Sequence, residues 1–165
     1  MIIVGIDPGL SGAIALLAPD GLKRVSDMPT MLRHAGGTVK NQVDPRGLQE
    51  LLREMVHGHD RNEFMVVIEQ QQAMGGGMGA STVFSLGLTA GIIEAVVAAM
   101  NLPHELVIPK DWKKAIGLTA KVKDAKGLAR TMAQRCYPEA ELHLAKHHNR
   151  AESILLAKYG QLKYR

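Results

Sequence analysis

Two short apolar runs, each closing on an acid, restrict this 165-residue chain more than any other feature. Residues 2–6 are apolar, largely β-branched, and end in Asp7, after which the chain turns through Pro8, Gly9, Ser11 and Gly12. Residues 64–68 repeat the pattern and end in Glu69. Apolar runs of this length read as strands buried on both faces, which asks for a sheet covered by helices on each side. An acid at the end of such a strand, with glycines behind it, stands where α/β proteins often place their chemistry. Side by side in a sheet, Asp7 and Glu69 would approach closely, and two anions that near are unfavourable unless a cation sits between them. Hard divalent cations prefer oxygen ligands, and Mg²⁺ is commonly held by one or two carboxylates plus substrate phosphates. The plainer alternative is an Asp that opens a Pro-Gly turn and an unrelated solvated acid at a strand end.

The order of elements predicts an α/β fold. Residues 2–6, Ala13–Ala18 and residues 22–28 read as strands joined by two short connections, an antiparallel meander. Residues 29–43, with Gly36 and Gly37 and little periodicity, read as a mobile loop. Asp44-Pro45 is an N-cap and N1 pair for a helix whose apolar stripe is Leu48, Leu51, Leu52, Met55 and Val56. A fourth strand ends in Glu69, a glycine-rich loop follows, and a long helix spans about residues 80–100. A fifth strand at 105–108 stops at Pro109, and helices near 122–136 and 150–160 complete the chain. The expectation is a mixed five-stranded sheet flanked by helices, forming one domain over residues 1–165 with no internal repeat.

Composition excludes several classes. At 46% hydrophobic the chain can bury a core, and one cysteine, Cys136, rules out an internal disulfide framework or zinc-finger spacing. No leader is expected, because strand residues begin at Ile2. No run is expected to span a bilayer, the nearest (91–100) being broken by Glu94. A soluble, intracellular, cytoplasmic protein with no membrane partner follows. The net charge of +4 and pI near 9.3 hint at a polyanionic partner. That basicity is concentrated. Between Lys110 and Arg130 stand Lys110, Lys113, Lys114, Lys121, Lys123, Lys126 and Arg130 against Asp111 and Asp124, a local +5. Salt-dependent phosphate binding is the expected use, a solvated lysine surface the bland one. Trp112, the only tryptophan, is expected in the core.

Near the C-terminus, "KHHNRAES" opens a packed helix with Glu152 near its first turn. His148 lies four residues before Glu152 and Asn149 three before, so either can share its face if the helix starts early enough. His147 would have to reach from the preceding loop. Alone, the cluster is a polar helix entry.

In this order, "GIDPGLSG", a later strand ending in Glu and a final helix opening on His and "RAES" resemble the RuvC-type Holliday junction resolvases over nearly the whole chain. That resemblance implies a ribonuclease-H-like fold and a metal site of Asp7, Glu69, His148 and Glu152. It implies two Mg²⁺ or Mn²⁺ ions per site, with Asp7 bridging them, and cleavage that leaves a 5′-phosphate and a 3′-hydroxyl. The chain departs from the family at Asn149, where an Asp-x-x-Asp pattern would put the penultimate ligand. An amide is a poor ligand, and His148, whose imidazole coordinates metals, is the preferred candidate. The resemblance also implies phosphate contacts in the lysine-rich region, at Lys113, Lys114, Lys121, Lys123 and Lys126. In some relatives a side chain shortly after the Glu, often aromatic, wedges into the junction. Here no aromatic lies between Glu69 and Phe84, which leaves Gln72 or Met74 in the loop "QQQAMGGGMGAS". The partners implied are DNA four-way junctions and other branched DNA. Two symmetric cuts favour a homodimer, and Gly87 and Gly91, a turn apart on one helix, form a smooth strip suited to packing against the sheet or against a second subunit.

Three rivals remain. An actin-like ATPase shares the opening strand, acid and glycine turn, but needs a second such domain that 165 residues cannot supply. A relative that binds branched nucleic acid without cutting is favoured by Asn149. A ribonuclease-H-like hydrolase of RNA–DNA hybrids would share the site.

Overall fold

The computed structural model describes residues 1–72, 77, 79–118 and 125–165, excepting the side chains of residues 35 and 125. Strands β1 (Ile2–Asp7), β2 (Ala13–Ala18) and β3 (Gly21–Asp27) form the expected meander, and β6 (Phe64–Glu69) and β7 (His104–Val107) complete a sheet of order β3-β2-β1-β6-β7. β2 runs antiparallel to its neighbours, whereas β1, β6 and β7 are parallel. The mixed α/β fold class and the five strands agree with the sequence reading.

Register decides what stands at the sheet's edge. Asp7 pairs with Ala13, which pairs with Asp27; Ile6 pairs with Ile68, and Glu69 with Val107. Asp27, Asp7, Glu69 and Val107 therefore end their strands along one row.

Alternation along β1 feeds two core layers. Ile3, with Ala15, Leu17 and Val67, packs on Trp112 of α3 (Pro109–Ala115), on α4 (Ala125–Cys136) and on α5 (His148–Lys163). Val4 and Ile6 face α1 (Pro45–Val56) and α2 (Ala80–Ala99), where the predicted stripe Leu48, Leu51, Leu52, Met55 and Val56 is buried. Asp44 caps α1 by accepting from the Arg46 amide at 3.0 Å. α5 lies directly on β1: a Cβ at Gly5 would strike the Ser153 carbonyl and come within 2.6 Å of the Ala157 amide nitrogen. A glycine in the middle of a strand weakens the strand itself, so its use here marks a close backbone approach. That approach brings the start of α5 to the end of β1.

Three expectations change. The loop at 29–43 is a β-hairpin, β4 (Thr30–Ala35) and β5 (Thr38–Val43), turning on Gly36 (φ 56°) and Gly37 (φ 76°). Two successive positive-φ residues are the signature of a type I′ turn, whose twist matches antiparallel strands. The helix α3 follows β7 at once with Pro109 in its first turn, so this proline starts a helix as well as stopping a strand. Finally, α2 is long and apolar enough to cross a membrane by length and composition, contrary to the sequence reading. In this fold its second half belongs to the core through Ile93 and Val97, while Val83 and Phe84 in its first turns are exposed.

Candidate active site

Each side chain at the sheet edge arrives by a different route. Asp7 and Glu69 end adjacent parallel strands, and Glu152 comes from the second turn of α5, held over β1 by the Gly5 contact. One carboxylate oxygen from each of the three lies within 4.8 Å of the others. Glu69 and Glu152 are only 12% and 18% exposed. Three acids packed this closely cannot all ionise cheaply. Burial above all, then the charges of Glu152 and Glu69, pushes the Asp7 carboxyl up to about 8. Glu69 is raised too, again mainly by burial, against the opposing pull of Lys113 and Trp112.

Helix α3 supplies the partial remedy. Trp112, fully buried as expected, donates its indole N–H to Glu69 Oε2 at 2.9 Å. Lys113 Nζ donates to Glu152 Oε2 at 2.9 Å and stands 3.7 Å from Glu69 Oε2. Burial pulls the Lys113 ammonium down, but the Glu152 hydrogen bond and the surrounding carboxylates outweigh it and raise its pKa. Lys113 is thus part of the carboxylate cluster, not a free surface lysine. Lys114 and Lys126 are exposed, and the Lys126 charge still reaches Asp7, lowering it. Lys121, Lys123 and Met74 lie outside the described residues. Gln72 is exposed, next to Gln71, whose amide donates to the Pro8 carbonyl at 3.5 Å.

α5 begins at His148, two residues before the expected start. His148 does not join the three-carboxylate group; its Nδ1 faces the Ala145 carbonyl at 3.2 Å. His147 is buried, its Nδ1 accepting from the Leu144 amide at 3.4 Å. Asn149 reaches elsewhere, its Nδ2 donating to the Ser11 carbonyl in the turn that follows Asp7. Arg150 makes a bidentate pair with Asp27, Nε to Oδ1 at 2.6 Å and Nη2 to Oδ2 at 2.7 Å. Together these two residues clamp the first turn of α5 to the ends of β1 and β3. Sequence reasoning misses both contacts because they join segments more than a hundred residues apart.

The donor set suits a hard divalent cation. All three groups offer oxygen, they converge from separate elements, and their mutual repulsion is what a cation relieves. No protein-family model and no curated protein matches the chain. Solved structures do. Thermus thermophilus RuvC in complex with Holliday junction substrate is 15% identical, with a TM-score of 0.57 over 100% of this chain and 96% of that one. Thermus thermophilus RuvC by itself is 16% identical, with a TM-score of 0.53 over 99% and 97% of the two chains. The fowlpox virus Holliday junction resolvase is 13% identical, with a TM-score of 0.56 over 100% of both. At such identities the likeness is one of fold, and the class it defines is the ribonuclease-H-like α/β fold. Within that class the chain has the architecture of the RuvC-type resolvases along its whole length.

Proposed function

We propose that residues 1–165 form one nuclease domain, a structure-selective, metal-dependent endonuclease that resolves Holliday junctions or related branched DNA. The observation that carries this reading is the convergence of Asp7, Glu69 and Glu152 on one point at the edge of a resolvase-type sheet. The reaction is hydrolysis of two symmetric phosphodiesters, each leaving a 5′-phosphate and a 3′-hydroxyl. Asp7, Glu69 and Glu152 would hold the two Mg²⁺ or Mn²⁺ ions of such a site. Such ions activate water and stabilise the leaving oxygen in an in-line displacement. His148 is the fourth candidate, four residues before Glu152 on α5; with Nδ1 on the Ala145 carbonyl, Nε2 is its free donor atom.

The chain's own groups prepare this site. Trp112 donates to Glu69 Oε2 and so helps to set the orientation of that carboxylate. Lys113 balances part of the negative charge and stands where a scissile phosphate's charge would also be met. Lys114 and Lys126, with Lys121 and Lys123, are the proposed contacts to flanking phosphates, and Gln72 or Met74 the proposed wedge. Two cuts related by symmetry ask for a homodimer, with the strip of Gly87 and Gly91 on α2, where an added methyl meets nothing within 4 Å, as its contact. The protein would act inside the cell, on DNA.

A labelled four-way junction incubated with and without Mg²⁺ or Mn²⁺ tests the proposal: paired nicks that need the ion support it, and intact junction at full occupancy refutes it. One observation favours a second reading, a branched-DNA-binding relative that does not cut. Lys113 already neutralises Glu152, so the cluster has a resident counter-charge. Tight junction binding unaffected by divalent ions, with no product, would select that reading.

A further inference from the structure

The β4–β5 hairpin leaves the central sheet and, with the first half of α2, walls an open groove of about 570 Å³. Arg33 and Lys40 face each other directly across the hairpin and both line this groove. Like charges at directly opposed positions destabilise a two-stranded ladder. Nothing in the groove relieves them: no acid lines it, and among the described residues neither cation has a carboxylate partner. Arg33 Nη1 makes one long bond, 3.5 Å, to Gln42 Oε1. The opposite wall is uncharged and comes from Ser81, Ser85 and Leu88, which share one face of α2, turned away from the Gly87–Gly91 strip. Phe84, 70% exposed, stands at the lip.

The hairpin wall is rooted at the carboxylate edge, and the α2 wall follows Glu69 in sequence. The hairpin's base is tied there by Met28 N–H to the Gly12 carbonyl and by Asp44 N–H to the Pro29 carbonyl, each 2.9 Å. α2 starts eleven residues after Glu69.

We propose that this groove is a second nucleic-acid contact, in which Arg33 and Lys40 hold the phosphate backbone of one DNA strand and Phe84 stacks on a base or sugar beside it. It rests on the reading of this chain as a branched-DNA protein and adds to it a site that none of the sequence motifs marks. The opposed cations are the reason for choosing a polyanion as occupant. A bound phosphate chain converts their repulsion into attraction, and a groove open to solvent between its two walls suits a polymer better than a small anion. A base has a face for Phe84 whatever its identity, so the contact would be indifferent to sequence.

The test measures binding of a labelled four-way junction by fluorescence anisotropy across a salt series, without divalent ions, alongside sedimentation mass. Arg33→Gln combined with Lys40→Gln should weaken binding roughly tenfold near physiological salt and reduce the salt slope by about two. The charge-keeping pair Arg33→Lys with Lys40→Arg should leave the slope as in the unaltered chain. Phe84→Ala should weaken binding at least about fivefold with no change of slope, because it removes a stacking surface and no charge. Unchanged affinity and slope in the double Gln variant would overturn the groove while leaving the proposed function standing. A fall in sedimentation mass with an unchanged slope would also overturn it, assigning the groove to a second copy of the chain. If the unaltered chain fails to bind branched DNA at all, the functional reading falls first and the groove with it.

Discussion

The carboxylate edge and the hairpin groove are opposites in construction. The first gathers three acids at half-buried positions fixed by sheet register and by α5 lying on Gly5. The second gathers two cations on an exposed hairpin joined to the rest mainly at its base. Repulsion at the edge is contained by the proton that Asp7 retains and by Lys113; repulsion in the groove is left to solvent. A fold can therefore hold like charges together in two ways. Where the scaffold is rigid and dry, the charge calls for a small ion of defined geometry. Where it is loose and wet, it suits a long, sequence-independent polymer.

The sharpest way to break this contrast is to remove charge from the edge. Asp7→Asn or Glu69→Gln should lower junction cleavage by about a thousandfold or more, since each takes a ligand from the only described three-carboxylate group. Binding measured without divalent ions should stay level or tighten, because neither amide presents a negative charge to phosphate. Wild-type cutting in either variant would mean the chemistry lies elsewhere.

The next effect is on stability and follows from Asp7. Its carboxyl is pushed from 3.8 up to about 8 in the folded chain. Between those values the native state holds a proton that the unfolded chain has released, so stability of the ion-free protein falls as pH rises through that window. Four pKa units correspond to about 5 kcal/mol, a Tm decrease on the order of 10 °C between pH 4.5 and 8.5. Glu69, raised for the same reason, acts in the same direction. Thermal melts should show this slope vanish in Asp7→Asn, and shrink when Mn²⁺ is present. A flat profile for the unaltered, ion-free chain would show that the edge is wetter than its burial implies.

Backbone substitutions sharpen the rigid-versus-loose comparison. Gly5→Ala forces a methyl into the Ser153 carbonyl and should cost about 3 kcal/mol and reduce cleavage, because α5 must lift and carry Glu152 with it. Gly37→Ala, at φ 76° with open space around it, should cost about 1 kcal/mol, be confined to the hairpin, and leave cleavage unchanged. Equal losses in both would mean that the hairpin is coupled to the core. Chemical denaturation of the two variants gives both values.

How legible these regions are in the sequence follows the same division. The strands at 2–6 and 64–68 are readable because burial on both faces leaves an unbroken apolar run, and their terminal acids stand out against it. The helix at Pro45–Val56 is legible through its cap and stripe. The hairpin is not, because neither of its faces belongs to the core sheet and its residues therefore show no apolar alternation. The one signal present, Gly36-Gly37 between equal six-residue strands, is a hairpin signature that reads as loop flexibility when no alternation flanks it. At the site, Asp7, Glu69 and Glu152 stand out as strand-end and helix-start acids. Lys113 reads as a surface phosphate contact, since no local pattern reveals that α3 folds back from β7 onto Glu152. Asn149 reads only as a ligand position, because its partner is a backbone carbonyl with no sequence signature.

The smallest effect predicted concerns that residue and its neighbour, which join the end of β1 to the start of α5. Asn149 holds the Ser11 carbonyl, and Arg150 holds Asp27, in the same strand-end row as Asp7. Neither touches the three carboxylates, so each should act by positioning. Asp27 is 68% exposed, and an ion pair that open contributes little to stability. Arg150→Gln should therefore leave Tm within a few degrees while raising the Mn²⁺ concentration for half-maximal cleavage about tenfold, with the maximal rate nearly kept. Arg150→Lys should recover only part of this, because an ammonium cannot make the paired bonds to both oxygens of Asp27. Asn149→Ala should resemble Arg150→Gln. Asn149→Asp is the decisive variant: a carboxylate there would face the Ser11 carbonyl with no proton to share, so it should be worse than alanine. His148→Ala, measured beside it at equal junction occupancy, separates the remaining alternatives. If Asn149→Asp cuts faster than the unaltered chain and His148→Ala is silent, position 149 points at the metal, and the clamp is a ligand site that has lost its charge.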